Sequence, residues 1–228
     1  MASFMTKLKK PEIPDQAALK RVGEQVRKRL AANKAIYHLP AEKAEIFAMG
    51  DFMSADECGR MIGMIDRVAR PSSVFNVAYG EDYRTSYSGD VDPHDPFVKK
   101  IGRRIDDLLG LDPSWGETVQ GQRYLPGQQF KPHCDWFFTE AAYWPREAER
   151  GGQRSWTAMV YLNPVEGGGS TDFTELGLSI EPKPGAILMW NNADREGVPN
   201  RWTIHSGTKV NAGVKYVITK WYRTRKWN

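Results

Sequence analysis

His133, Cys134 and Asp135 lie in the stretch YLPGQQFKPHCDW from Tyr124 to Trp136, which sets an imidazole and a carboxylate two positions apart. On a β-strand successive side chains alternate faces, so His133 and Asp135 would point the same way. One more imidazole on that side completes the two-histidine, one-carboxylate set that holds non-haem Fe(II) at three corners and leaves three positions open. His205 is the candidate for the third donor. The His-x-Asp pair is by itself a short pattern that arises often by chance, so its weight depends on the residues around it.

Ten residues after His205 stands Lys215, inside the apolar run VKYVITKWY. Alternation groups Lys215 with Val217, Thr219 and Trp221, opposite Tyr216, Ile218 and Tyr222. Both faces read as buried, and a buried ammonium is costly unless an anion meets it. The carboxylate of a bound cosubstrate would serve; a lysine snorkelling out from an edge strand is the plainer alternative. Gly167, Gly168 and Gly169 suggest a phosphate cradle at first sight, but no helix start or Lys-Ser/Thr pair follows, so a turn is expected there. His38 and His94 have no partner pattern and read as surface residues.

The elements that must position these groups change character along the chain. Leu19, Val22, Val26 and Leu30 recur at helical spacing within residues 15–33, a cover for the rest of the domain. A short strand at 45–49 precedes Ser54, an N-cap for a helix carrying Met61, Ile62, Ile65 and Val68. An irregular extended segment follows Pro71, most strand-like over Tyr83–Tyr87, and then a helix over Pro96–Leu109. From Glu117 onward the pattern becomes short β runs at 118–125, 130–138, 156–163, 178–181, 186–190, 202–205 and 214–223. Such regularly spaced strands imply a sandwich or barrel. Residues 139–155 are too long for a hairpin turn and are expected to be a mobile lid or a disordered connection.

The 228 residues suffice for one core, with apolar and charged fractions (40% and 26%) near globular values, while 21 Gly and 14 Pro favour β structure over a helical bundle. Cys58 and Cys134 form no spaced cluster, and a disulfide at Cys134 would obstruct the site, so a reducing, cytoplasmic setting is expected. The N-terminal MASFMTKLKKPEIPDQ has basic residues with no apolar core behind them, and no apolar run nears 18 residues, so neither secretion nor membrane insertion is expected. A net charge of +4 is compatible with plain solubility. The C-terminal KWYRTRKWN interleaves basic and aromatic residues as some nucleic-acid surfaces do, but its first half belongs to a strand, and no nucleic-acid partner is expected.

From about Asp51 to Arg223 the chain resembles the prolyl 4-hydroxylase-like branch of the Fe(II)- and 2-oxoglutarate-dependent dioxygenases. The resemblance is carried by DFMSADECGRMI, YRTS, RYLPGQQFKPHCDW, GGQR, TAMVYLNPVEGGGSTDF and EPKPGAILMWNN, then a distal His with a Lys ten residues on and a closing KWYR. It implies an α+β, mainly β fold: a double-stranded β-helix, or jelly roll, over 41–228, with helices packed on one sheet and residues 1–40 as a helical extension. It makes His133, Asp135 and His205 the iron ligands. Lys215 would receive the far carboxylate of 2-oxoglutarate, assisted by Thr157; Tyr124 and Trp221 would line the same pocket, and Arg84 would face the substrate.

The resemblance further implies O2 as co-reactant, ascorbate as reductant, and succinate and CO2 as co-products of hydroxylating a proline in a peptide or protein. The same chemistry on a free amino acid or small metabolite is the alternative, and would call for an enclosed pocket rather than a groove. A non-catalytic metal-binding or sensing module and a zinc hydrolase are rivals from other classes; the first has no need of Lys215, and for the second no general base stands beside the ligands. Cys134 and Trp136 replace aromatic residues common in relatives and bear on pocket shape. An intact Asp135 argues against a halogenase, and Lys215 in place of arginine argues against the nucleic-acid demethylase branch. Segments 139–155 and 72–90 are the expected lids. Oligomeric state is not encoded in any of these features.

Overall fold

A computed structural model describes residues 13–73 and 80–228. Helix α1 (Gln16–Ala31) buries Leu19, Val22, Val26 and Leu30, the stripe that its periodicity marks. Strands β1 (Tyr37–His38) and β2 (Ile46–Met49) lead to α2 (Ala55–Val68). That helix opens on a reciprocal capping box: the Ser54 hydroxyl accepts from the Glu57 amide at 3.2 Å, and the Glu57 carboxylate accepts from the Ser54 amide at 3.1 Å. Strands β3 (Arg70–Pro71) and β4 (Tyr87–Asp90) follow. Helix α3 (Pro96–Leu109) begins with the Asp95 carboxylate accepting from the Phe97 and Val98 amides and ends at Gly110, whose φ of 68° suits a left-handed cap.

The second half supplies β5 (Gln120–Tyr124), β6 (Phe130–His133), the short helix α4 (Trp144–Glu149), β7 (Arg154–Tyr161), β8 (Gly167–Gly168) and β9 (Thr171–Phe173). After these come β10 (Leu178–Ile180), β11 (Ile187–Asn191), β12 (His205–Gly207), β13 (Val210–Ala212) and β14 (Lys215–Arg223).

Eight strands form one sheet in the order β1-β2-β11-β7-β14-β5-β4-β3, and four form a second in the order β10-β9-β12-β6. From β5 onward the chain passes back and forth between the sheets, which is the winding of a double-stranded β-helix. Parity along β7 separates the two cores. Trp156, Ala158 and Val160 pack with α1, α2 and α3, whereas Met159 and Tyr161 pack with Phe173, Leu188 and Val217 between the sheets. Thr157 shares the inner face with Met159 and Tyr161.

Several expectations need correction. The strand expected over 130–138 stops at His133, so Asp135 lies in the following turn and not on a strand. Tyr83 ends a 3-10 turn, and the strand begins only at Tyr87. Residues 201–203 form another 3-10 turn, which leaves His205 to open β12. Residues 139–155 are not a disordered connection. They contain α4, and Glu147 is buried there in an ion pair with Arg223 at 2.6 Å. The expected lid over 72–90 falls partly on 74–79, outside the described residues. Short strands such as β9 and β13 escaped pattern reading because three residues hold too little alternation. Among the described residues no helix is long and apolar enough to cross a membrane.

Candidate metal and cosubstrate site

His133 is the last residue of β6 and His205 the first of β12, and the antiparallel register places them directly opposite each other. Their ring centroids are 4.3 Å apart. Asp135 turns back beside them and brings Oδ2 to 3.9 Å from His205 Nε2. One ligand atom from each of the three residues lies within 4.8 Å of the other two, a spacing that a single ion can bridge.

Both imidazoles are held in one tautomer. Nδ1 of His133 is 2.9 Å from the Lys131 carbonyl, and Nδ1 of His205 is 3.0 Å from the Thr203 carbonyl. A carbonyl only accepts, so each Nδ1 carries the proton and each Nε2 presents a lone pair. Phe130 stacks on His133 at 3.5 Å, and Trp190 meets His205 edge-on at 4.7 Å, which fixes the ring planes. Burial and the neighbouring His205 hold His133 well below its ordinary pKa, so it stays neutral and able to ligate. Burial pushes the Asp135 carboxyl up, but His205, His133, Arg154 and the Thr157 hydroxyl outweigh it and keep the carboxyl below its ordinary range. Two imidazoles and a carboxylate, open on one side, fit Fe(II), whereas nothing in the set provides the thiolates of a closed structural zinc site.

A narrow cavity leads inward from these ligands to Lys215, past Tyr124, Met159, Thr171 and Gly207. Lys215 is 2% exposed, and its Nζ sits 5.4 Å from the Tyr124 ring and 5.6 Å from that of Tyr161. Nζ donates to the Ser170 carbonyl at 3.5 Å. No carboxylate among the described residues pairs with it, and burial pushes the ammonium down to about 7. A cation this deeply desolvated, at the end of a cavity that starts at the metal ligands, fits the far carboxylate of a dicarboxylate whose other end reaches the metal.

The structure brings Tyr124 and Trp221 to this cavity as expected. Thr157 goes elsewhere. It pairs across the sheet with Trp221, six positions along β14 from Lys215 (221 − 215), which is about 20 Å at ~3.3 Å per residue. The Thr157 hydroxyl instead donates to Asp135 Oδ2 at 2.7 Å and accepts from Asn192 Nδ2 at 2.9 Å. Two threonine hydroxyls do border the Lys215 cavity: Thr219, which accepts from Gln122 at 3.1 Å, and Thr171, which accepts from the Tyr161 hydroxyl at 2.8 Å and so has its own proton to donate. Thr171 lay within the quoted run ending STDF, but without a recognised strand no face could be assigned to it.

On the outer side of the metal ligands the cavity gives way to a cleft of about 370 Å³ walled by Arg84, Trp136, Phe138, Arg154, Trp221 and Trp227 among others. Arg84 therefore faces the cleft, over the Phe130 ring at 4.7 Å and bonded to Gln120 at 3.0 Å. Arg154 lies 4.1 Å over the Trp221 ring, and the Glu117 carboxylate grips its guanidinium through two 2.7 Å hydrogen bonds. Arg154 closes the GGQR motif and Glu117 has no motif at all. Neither was assigned a role from sequence. His38 and His94 are exposed, as expected.

A jelly roll with an open facial triad at one end and a buried lysine behind it defines a non-haem iron enzyme of the oxygenase type. A family model described as the 2OG-Fe(II) oxygenase superfamily matches residues 119–223. The probable prolyl 4-hydroxylase 8 of Arabidopsis thaliana is 31% identical over 208 residues, covering 80% of this chain and 69% of that protein. The prolyl 4-hydroxylase subunit alpha-1 of Rattus norvegicus is 37% identical over 144 residues, 63% of this chain. This chain spans only 27% of that rat subunit and 35% of its mouse counterpart. Among solved structures, a viral collagen prolyl hydroxylase from Paramecium Bursaria Chlorella virus-1, as its 2OG complex, superposes with a TM-score of 0.61 at 26% identity, covering 77% of this chain and 94% of that one. A prolyl hydroxylase from Trichoplax adhaerens in complex with a hypoxia inducible factor peptide shares the fold, with a TM-score of 0.60 at 15% identity over 92% of this chain and 96% of that one. This chain belongs to the 2OG-Fe(II) oxygenase superfamily, in its prolyl 4-hydroxylase-like branch.

Proposed function

We propose that this protein hydroxylates a proline residue in a peptide or protein, coupled to conversion of 2-oxoglutarate and O2 into succinate and CO2. The observation that carries the reading is the pairing of two features along one cavity: the three converging side chains and, behind them, an ammonium that no carboxylate among the described residues pairs with. His133, Asp135 and His205 would hold Fe(II), and Lys215 with Thr171 would hold the remote carboxylate of 2-oxoglutarate. The bound iron and cosubstrate would supply the oxidising chemistry.

The chain's own residues do the rest. The Lys131 and Thr203 carbonyls keep both Nε2 atoms turned inward, and Thr157, itself held by Asn192, fixes Oδ2 of Asp135. Lys215 orients the cosubstrate by one end, while Tyr124, Met159 and Trp190 exclude water from the cavity. Arg84, Arg154 and the aromatic side chains of the cleft present the substrate. A cleft that runs outward to the exposed ring of Phe138 favours a polypeptide over a small metabolite enclosed on all sides. The prolyl 4-hydroxylase names of the relatives support the same choice of target. Ascorbate as reductant and a reducing, cytoplasmic setting complete the proposal, the latter supported by Cys58 and Cys134 both being free thiols.

The test is anaerobic visible absorption of the metal-free protein on adding Fe(II) and then 2-oxoglutarate, beside His133→Ala and Lys215→Ala. A weak charge-transfer band that needs both additions and is lost in His133→Ala is the expected result, followed by hydroxyproline in a proline-containing peptide once air is admitted. A parent protein that shows no band removes the reading.

A further inference from the structure

Beyond β14 the chain does not leave the domain. Thr224 is buried and its hydroxyl bonds the Gly151 carbonyl at 3.2 Å; Arg225 pairs with Asp15 at 2.8 Å and also reaches the Ala148 carbonyl. The Trp227 amide donates to the Ser114 carbonyl at 2.8 Å, and Arg150 donates to the Asn228 carbonyl at 3.1 Å. These anchors set Trp227 as a wall of the cleft that starts at the metal ligands. Arg150 lies 5.7 Å from the indole and backs it.

Two tryptophans thus line the cleft, Trp221 beside the ligands and Trp227 farther along. Trp221 is buried and Trp227 half-buried, so Trp227 keeps part of its indole open to the cleft. An extended, proline-containing segment suits such a wall, because its pyrrolidine rings pack on aromatic faces with little ordering entropy to lose.

We propose that Trp227 is a substrate-binding residue, packing its ring on a residue that flanks the hydroxylated proline. Trp221 occupies the target end of the same cleft and Trp227 the flanking end, so the pair sets how the chain is threaded past the iron. The inference rests on the peptide-hydroxylase reading above.

The experiment titrates decaproline into the full-length protein loaded anaerobically with Fe(II) and 2-oxoglutarate, with the visible band recorded in the same cuvette and binding followed by calorimetry. Trp227→Ala is expected to weaken decaproline by about tenfold, the loss of one aromatic contact, with the band unchanged. Trp227→Phe, which keeps a smaller ring, is expected to fall between the two. Trp227→Ala binding as tightly as the parent overturns the inference and leaves the hydroxylase reading intact. Loss of the band in Trp227→Ala makes the residue a structural one and overturns it too. A parent that forms the band and ignores decaproline removes the proline-peptide target and the role of Trp227 together.

Discussion

Thr157 hydrogen-bonds Asp135 at 2.7 Å across the gap between the two sheets, from β7 on one to the turn after β6 on the other. That contact ties the carboxylate ligand to the central sheet, and Asn192 completes the chain at 2.9 Å. Outer groups of this kind orient a ligand without touching the metal.

Thr157→Val keeps the shape and removes the donor. Fe(II) affinity is expected to fall by about 10- to 100-fold while 2-oxoglutarate affinity at saturating metal stays near the parent's. Anaerobic metal titration, then cosubstrate titration at high Fe(II), separates the two. A variant with parental metal affinity and weakened 2-oxoglutarate would return Thr157 to the cosubstrate role expected from sequence.

Lys215 must be protonated to pair with a carboxylate, and in the free protein burial holds it at about 7. Binding of 2-oxoglutarate therefore takes up a proton above that pH. The apparent affinity is expected to be constant below about pH 6 and to weaken by up to tenfold per pH unit above 8. Calorimetry in buffers of different ionisation enthalpy measures the proton uptake directly. A pH-independent affinity between 6 and 9 contradicts the assignment.

The same burial carries a stability consequence of opposite sense. The folded pKa of Lys215 lies below its ordinary 10.5, so the unfolded chain holds the extra proton between pH 7 and 10.5. Stability from this group is therefore lowest below pH 7 and recovers as the pH rises towards 10.5. Lys215→Met is expected to raise the thermal midpoint of the cosubstrate-free protein at pH 6, by an amount that shrinks above pH 7, while abolishing 2-oxoglutarate binding. Thermal scans at pH 6 and 9 check this, and a destabilised Lys215→Met at pH 6 contradicts it.

Glu147 is 1% exposed, and its carboxylate takes Arg223 Nη2 at 2.6 Å. Glu147→Ala leaves Arg223 with Glu117 alone at that end of its guanidinium. The expected cost is about 3 kcal/mol in urea unfolding, with faster tryptic cleavage at Arg146 and Arg150. Unchanged proteolysis would mean that the segment 139–155 is held by its other contacts and that the ion pair is not its anchor.

How far the sequence could be read depended on the length of each signal. Helix α3 spans Pro96–Leu109 in both readings, because Phe97, Ile101, Ile105 and Leu108 repeat over four turns and Asp95, Pro96 and Gly110 mark the ends. β14 was equally plain, since nine residues give enough alternation to assign both faces. β9 and β12 were not, at three residues each, and Thr171 and the turn before His205 were misjudged with them. The His133–Asp135 pairing was expected for a reason that fails: the strand ends at His133, and a turn rather than alternation carries Asp135 to the same point.

The sequence by itself determined the class of fold, the three ligands and the buried lysine, because each rests on residue type and local period, and because the order of the motifs is a property of the chain. Only the tertiary structure decided that the Thr157 hydroxyl serves Asp135, that Glu117 clamps Arg154 over Trp221, and that Trp227 returns past Ser114 to wall the cleft. These are contacts between residues 22 (157 − 135) to 113 (227 − 114) positions apart, set by strand register and by the winding of the chain between two sheets. No local pattern records which strands become neighbours, so a one-dimensional reading sees the parts of the site and the fold alone assembles them.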